Sequence, residues 1–177
     1  TAYTVSASKD SLISFNPALP AQTAEEVASI SGGGNIHGMA YGDDCLYYVQ
    51  VANYQNSLYR YDFLTQESTY MTTLYAFSDI SDIAYDAENN LLYAVAGFYM
   101  FQYDMSNLDP NFAYYSNFIM DQNTMTLAGV EVIDGAVYTL GTDLYSNTTM
   151  LVKYADKYLS GYTVVKEDLS IPVVYHK

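Results

Sequence analysis

"LLYAVAGFYMFQYDM", residues 91–105, is apolar on both sides of an extended chain. Side chains alternate along a strand, so Leu91, Tyr93 and Val95 point one way and Leu92, Ala94 and Ala96 the other. A strand without a wet side belongs between two covering layers. The chain has 20 acidic residues among its 177, so polar side chains are not scarce. The question is what covers each side of this strand.

An internal repeat answers it. A segment "LY-x-V" followed by "LY-x-Y-D" recurs four times: "AYTV" (2–5) and "LISFN" (12–16), "LYYV" (46–49) and "LYRYD" (58–62), "LYAV" (92–95) and "MFQYD" (100–104), and, more loosely, "VYTL" (137–140) and "LVKYA" (151–155). The first anchor falls at Tyr3, Tyr47, Tyr93 and Tyr138, and the second at Phe15, Tyr61, Tyr103 and Tyr154. "HGMAYG" (37–42), "SDIAYD" (81–86) and "AGVEV" (128–132) precede the first anchors as an inner strand. "STYMTTL" (68–74), "NFAYYSNFI" (111–119) and "GYTVVKEDL" (161–169) follow the second as an outer strand, a place that "TAEEVASI" (23–30) takes in the first copy despite some helical character. "YGDDC" (41–45) and "DAENN" (86–90) supply the inner hairpin turns.

The unit is therefore four antiparallel strands in about 45 residues, which predicts an all-β chain folded as a β-propeller rather than a sandwich. Neighbouring blades then cover both sides of each inner pair. The blades are expected at about 1–30 with 171–177, 36–74, 80–119 and 127–169. The chain opens on "TAYTVSAS" (1–8), already in strand alternation, which reads as part of something longer. "PVVY" (172–175) places Tyr175 two periods beyond Tyr85, so it is expected to supply the inner strand that the first copy lacks. Such pairing closes a four-bladed ring and hides its edges. The alternative is half of an eight-bladed ring, which predicts a homodimer.

The stretches "LYRYDFLTQEST" (58–69) and "ISDIAYDAENNLLYAV" (80–95) resemble blades of bacterial extracellular β-propeller repeat proteins, such as those in surface proteins of Gram-positive bacteria. There is no Trp-Asp signature, paired-Gly pattern or Asp-box, and Trp is absent, so no catalytic residues carry over. The resemblance implies a binding or spacing module outside the cell.

A net charge of −14 with scattered acids argues against nucleic acid and anionic membrane surfaces, because a phosphate backbone needs a basic stripe. No apolar run is long enough to span a bilayer as a helix. The 21 tyrosines suit half-buried strand positions, or a surface on which sugars or peptides stack. A single cysteine, Cys45, reads as a small core residue.

Few chemical groupings emerge. "SGGGN" (31–35) lacks the Lys and helix of a phosphate loop. His37 and His176, the two histidines, are not grouped with further ligands. "DAENN" spaces oxygens like the beginning of a calcium loop, but Leu91 stands where Gly is required, so it reads as a turn. No cofactor is predicted; a calcium ion near Asp79 and Asp82 in the central channel is the alternative carried for those acids. Glu131 replaces the small residue seen at Ala40 and Ala84, which predicts either a buried carboxylate or a bulge that turns it outward. "NTT" (147–149) matches a glycosylation sequon within a turn.

The expected function is a non-catalytic extracellular or cell-surface module that binds a carbohydrate or protein ligand at a channel mouth. Tyr41, Asp82, Tyr85 and Tyr175 are the candidate ligand contacts. The alternatives are a glycan lyase or hydrolase on the same scaffold, or a self-assembling structural module.

Overall fold

In the computed structural model, residues 2–6, 11–19, 23–29, 35–117, 119–120 and 123–166 are described. They form antiparallel sheets that follow one another along the chain. Blade 1 holds β1 (Ala2–Val5), β2 (Ser11–Phe15) and β3 (Glu25–Ser29). Blade 2 holds β4 (Asn35–Gly42), β5 (Cys45–Ala52), β6 (Gln55–Asp62) and β7 (Glu67–Leu74). Blade 3 holds β8 (Asp82–Asp86), β9 (Leu91–Ala96), β10 (Tyr99–Asp104) and β11 (Tyr114–Asn117). Blade 4 holds β12 (Ile119–Met120), β13 (Asn123–Ile133), β14 (Ala136–Asp143), β15 (Thr149–Tyr154) and β16 (Tyr162–Lys166).

Each of blades 2 and 3 thus has four strands in sequence order, and the inner strands β4, β8 and β13 pack side by side. This is the β-propeller arrangement. Within the stretch 23–30, β3 (Glu25–Ser29) is strand and pairs antiparallel with β2 in the outer place. Blade 4's sheet takes up the chain at Ile119, within the stretch assigned to the outer strand of blade 3. "PVVY" and Tyr175 lie outside the described residues.

The cores lie between the blades. Leu92, Ala94 and Ala96 join the cluster shared with blade 2, alongside Val49, Leu58, Leu74 and Ile83. Tyr93 and Val95 join the cluster shared with blade 4, alongside Met125, Val130, Val137 and Val152. All five of these β9 residues are 0% exposed, which answers why residues 91–105 have no wet side. A third cluster, with Leu12, Ile36, Leu46, Tyr48 and Tyr61, joins blade 1 to blade 2.

Two glycines set the spacing of the inner strands. A Cβ on Gly38 would lie 2.7 Å from Asp82 Cα, and one on Gly42 would collide with the Tyr85 ring. Only a residue without a side chain lets β4 come so near β8. The buried Asn56 ties the next connector down: its Nδ2 donates to Ser78 O (3.1 Å) and its Oδ1 accepts from Ile80 N (2.8 Å).

The "Y-D" ending of the third strand divides its labour. Tyr61 and Tyr103 are buried between blades. Asp62 Oδ1 accepts from Leu64 N and Thr65 N (2.8 and 3.1 Å), and Asp104 Oδ1 from Ser106 N (2.8 Å), so each aspartate shapes the turn that follows. Those backbone donors hold the Asp62 carboxyl below its ordinary pKa.

Glu131 departs from the expectation of a buried carboxylate: it is exposed. A bulge does interrupt β13 between Leu127 and Gly129, but Glu131 still pairs with Tyr138 as Ala84 pairs with Tyr93 and Ala40 with Tyr47. It keeps the repeat position. What differs is the cover, since no described sheet lies against this side of blade 4.

Candidate ligand-binding site

The turns between inner and second strands gather at one end of the stack, here called the lower mouth. They are written for it: Asp43 and Asp44 have φ of 51° and 55°, and Asp134 and Gly135 have 50° and 72°. Paired left-handed residues make the tight turn that suits a twisted hairpin. Tyr41 and Tyr85, near the C-terminal ends of β4 and β8, come to this mouth. Asp79 and Asp82, in the connector and at the beginning of β8, lie at the opposite one.

Tyr41 is 59% exposed, and its hydroxyl donates to Asp44 Oδ1 (3.3 Å). Burial of its oxygen and the adjoining Asp44 carboxylate push its pKa up. Its ring lies 6.1 Å from Phe63, which in turn lies 4.9 Å from Tyr3. Between these rings opens a cavity of about 510 Å³ lined by Ala2, Tyr3, Met39, Tyr41 and Leu46. Two aromatic rings with Ala2, Met39 and Leu46 make an apolar wall, and the Tyr41 hydroxyl links it to the Asp44 carboxylate.

Tyr85 sits differently. It is 9% exposed, with its ring over Gly42 and 4.9 Å from the ring of Tyr47. Its hydroxyl lies 2.5 Å from Asp43 Oδ2 and 2.8 Å from Asn90 Oδ1. Burial, with the Asp43 carboxylate as the next cause, raises its pKa to about 12. Tyr85 thus fastens the hairpin turn of blade 2 to that of blade 3.

Asp82 fastens blade 3 to blade 4. Its Oδ2 accepts from Val130 N (3.1 Å) across the inner strands. Burial raises its pKa to about 6, against the lowering effect of the Val130 and Ile83 amides, with Glu131 adding a smaller upward push. Asp79 is exposed. Among the described residues no group of three His, Cys, Asp or Glu is assembled to hold a metal ion. His37 Nδ1 lies 3.2 Å from Ile80 O, while His176 falls outside the described residues.

Of the four expected ligand contacts, then, Tyr41 and Tyr85 share a mouth, Asp82 lies at the other, and Tyr175 is not described. Tyr3 and Met39 line the cavity at Tyr41 and were not singled out as contacts. The available signal for Tyr3 was its place as the anchor of a copy that lacks its own inner strand.

No protein-family model matches the sequence, and no curated protein matches it. Solved structures match the fold. A chain of the nidogen/laminin complex superposes with a TM-score of 0.65 at 12% identity, over 90% of this chain and 59% of that one. The extracellular domain of a hybrid two component system from B. thetaiotaomicron gives 0.57 at 15%, over 92% and 20%. The Cps50 (Swd1) β-propeller domain from Myceliophteria thermophila gives 0.51 at 15%, over 76% and 40%. At such identities the likeness is one of fold, and it is to β-propellers. This chain spans 59% or less of the length of each of these three.

Proposed function

We propose that this chain is a non-catalytic binding module, displayed outside a bacterial cell, that takes a ligand at its lower mouth. The observation that carries the reading is the cavity of about 510 Å³ walled by Ala2, Tyr3, Met39, Tyr41 and Leu46, whose Tyr41 hydroxyl donates to Asp44. The exposed Tyr41 ring beside the half-buried Tyr3, with a carboxylate bonded to the Tyr41 hydroxyl, suits the apolar face and hydroxyls of a sugar, or the aromatic and basic side chains of a protein loop. The neighbouring fold in an extracellular domain and the Tyr-rich, acidic composition support the placement outside the cell. A glycan array, run beside a binding screen against extracellular matrix proteins, tests it. Binding that Tyr41→Ala weakens at least tenfold supports the site. Binding unchanged in both Tyr41→Ala and Tyr3→Ala rejects it.

A second reading, self-assembly, has its own observation. The side of blade 4 that no described sheet covers carries Ile133 and Val165 at 53% and 52% exposure, beside Tyr138. An apolar face of this kind favours pairing with a second copy. Light scattering separates the readings: one chain's mass of 19.8 kDa supports a closed ring, and twice that supports two half-rings.

A further inference from the structure

The third strands carry a variable residue between their anchors, and it stands on one face in all three complete blades. Arg60 pairs with Tyr47, Gln102 with Tyr93 and Lys153 with Tyr138. Two are cations: Arg60 reaches Asp62 (3.6 Å), and Lys153 lies over the Tyr138 ring (5.6 Å to its centroid). Gln102 is the neutral exception. It is 7% exposed, and its amide oxygen is buried without a hydrogen-bond partner. A lone buried acceptor costs about 1–3 kcal/mol, so a folded chain seldom keeps one without reason.

Gln102 lines a cavity of about 380 Å³ at the outer rim, where the turn after β15 reaches over the outer half of blade 3. Three largely exposed rings share that wall: Phe112 (61%), Tyr114 (61%) and Tyr158 (60%). Asp104 and Asp109 complete it, each with one carboxylate oxygen taken by a turn amide, Ser106 N and Asn111 N. The turn itself is held down. Tyr93 donates to Lys157 O (3.0 Å), and Lys157 Nζ donates to Asn89 Oδ1 (2.8 Å).

We propose that this rim cavity is a second ligand site, separate from the lower mouth, and that it takes a neutral pyranose unit of a glycan. The Gln102 oxygen and two carboxylates accept, while the Asn107 amide and the Tyr114 and Tyr158 hydroxyls in the same wall can donate, so a ligand whose groups do both fits best; sugar hydroxyls do. Phe112, Tyr114 and Tyr158 offer flat apolar faces, which match the C–H face of a pyranose ring. Uronic or sialic acid residues would meet Asp104 and Asp109 as like charges, which disfavours them. The Gln102 oxygen is shielded from solvent, and a sugar hydroxyl that reaches it supplies the donor it lacks.

The test is saturation-transfer NMR on the whole chain, with methyl glycosides of glucose, galactose, mannose and N-acetylglucosamine as probes, and lysine methyl ester as the cationic control. At least one glycoside should show transfer, and Gln102→Leu should weaken it tenfold or more while leaving the melting temperature unchanged or higher. Tyr114→Ala and Tyr158→Ala change exposed side chains, keep the fold, and should weaken it to a similar degree. All variants are measured in a Tyr41→Ala background, so that a sugar held at the mouth does not contribute, and the rim signal should persist there. Three results overturn the proposal: no transfer from any glycoside, transfer that persists in Gln102→Leu and Tyr114→Ala, or transfer confined to the lysine ester.

Discussion

The second strands of blades 3 and 4, β9 and β14, hold the same place in consecutive repeats yet are buried in different ways. In β9 every residue from Leu92 to Ala96 is sealed. Along β14 burial alternates: Val137 and Thr139 are buried, while Tyr138 and Leu140 are half-covered. The difference comes from what stands beside each strand. Blade 3 has a blade on either side, whereas blade 4 has a described neighbour on one. Apolarity on both sides of a strand is therefore a record of stacking, and alternation marks a side that the described stack leaves open.

The sharpest way to break that comparison is to truncate the same anchor in both blades. Tyr93 is 0% exposed, and its hydroxyl donates to Lys157 O. Tyr93→Ala should cost about 4 kcal/mol, as deletion of a large buried ring does. Tyr138→Ala, on the uncovered side, should cost about 1 kcal/mol. Urea denaturation of both variants measures the gap. Equal losses would mean that the open side of blade 4 is covered in solution, by another part of the chain or by a second copy.

Next in size is the seam between inner strands. Gly38→Ala forces a methyl to within 2.7 Å of Asp82 Cα and should cost about 2–3 kcal/mol, because backbone cannot give way as a side chain can. Gly161, whose added Cβ would meet Ala155 Cβ at an ordinary 3.8 Å, is the control. Gly161→Ala should change stability by less than about 0.5 kcal/mol. Thermal melts of the pair place the tight spacing at the seam or deny it.

The contrast also explains what could be read from the sequence. The blades were legible because tyrosine anchors recur at nearly constant spacing and because β9 is apolar on both sides. Asp43-Asp44 was legible as a turn, since this residue type accepts positive φ. Glu131 could not be decided from its repeat position, because its exposure depends on whether a neighbour covers that side. The packing of Tyr85 was not legible either: an aromatic at a strand end looks like a platform, and only Gly42 opposite it reveals a packed ring. The rim cavity escaped notice because its wall combines blade 3, much of it the irregular connection between β10 and β11, with Tyr158 from a turn of blade 4. Its one trace in the sequence is Gln102 standing where Arg60 and Lys153 stand in other copies.

Asp82 sharpens the comparison through pH. Its folded pKa is raised, from 3.8 to about 6, so the folded chain holds the proton more tightly than the unfolded one. Its contribution to stability is therefore greatest below pH 4 and is lost as pH rises through 6. Asp82→Asn keeps an acceptor for Val130 N but cannot ionise. The stability difference between variant and parent should therefore grow by on the order of 2 kcal/mol from pH 4 to pH 7, in favour of Asn. Parallel curves would show that solvent reaches this carboxyl and that the seam between blades 3 and 4 is wetter than that between blades 2 and 3.

The smallest expected effect separates packing from hydrogen bonding at the second anchor. Tyr103 donates its hydroxyl to Tyr75 O (2.7 Å), in the connector that leads from blade 2. At the matching positions the hydroxyls of Tyr61 and Tyr154 are buried without a partner. If the anchor were conserved in type for its hydroxyl, all three Tyr→Phe changes would hurt alike. The geometry predicts otherwise. Tyr103→Phe removes a made bond and leaves the Tyr75 carbonyl wanting, at about 1 kcal/mol. Tyr61→Phe and Tyr154→Phe remove an unpaired polar atom from a buried place, so each should be neutral or stabilising by a few tenths of a kcal/mol. Chemical denaturation resolves a difference of that size within one series. The order Tyr103 worst, the other two at or above the parent, would assign the repeat's tyrosines to ring packing, with the hydroxyl recruited in the blade whose connector it can reach.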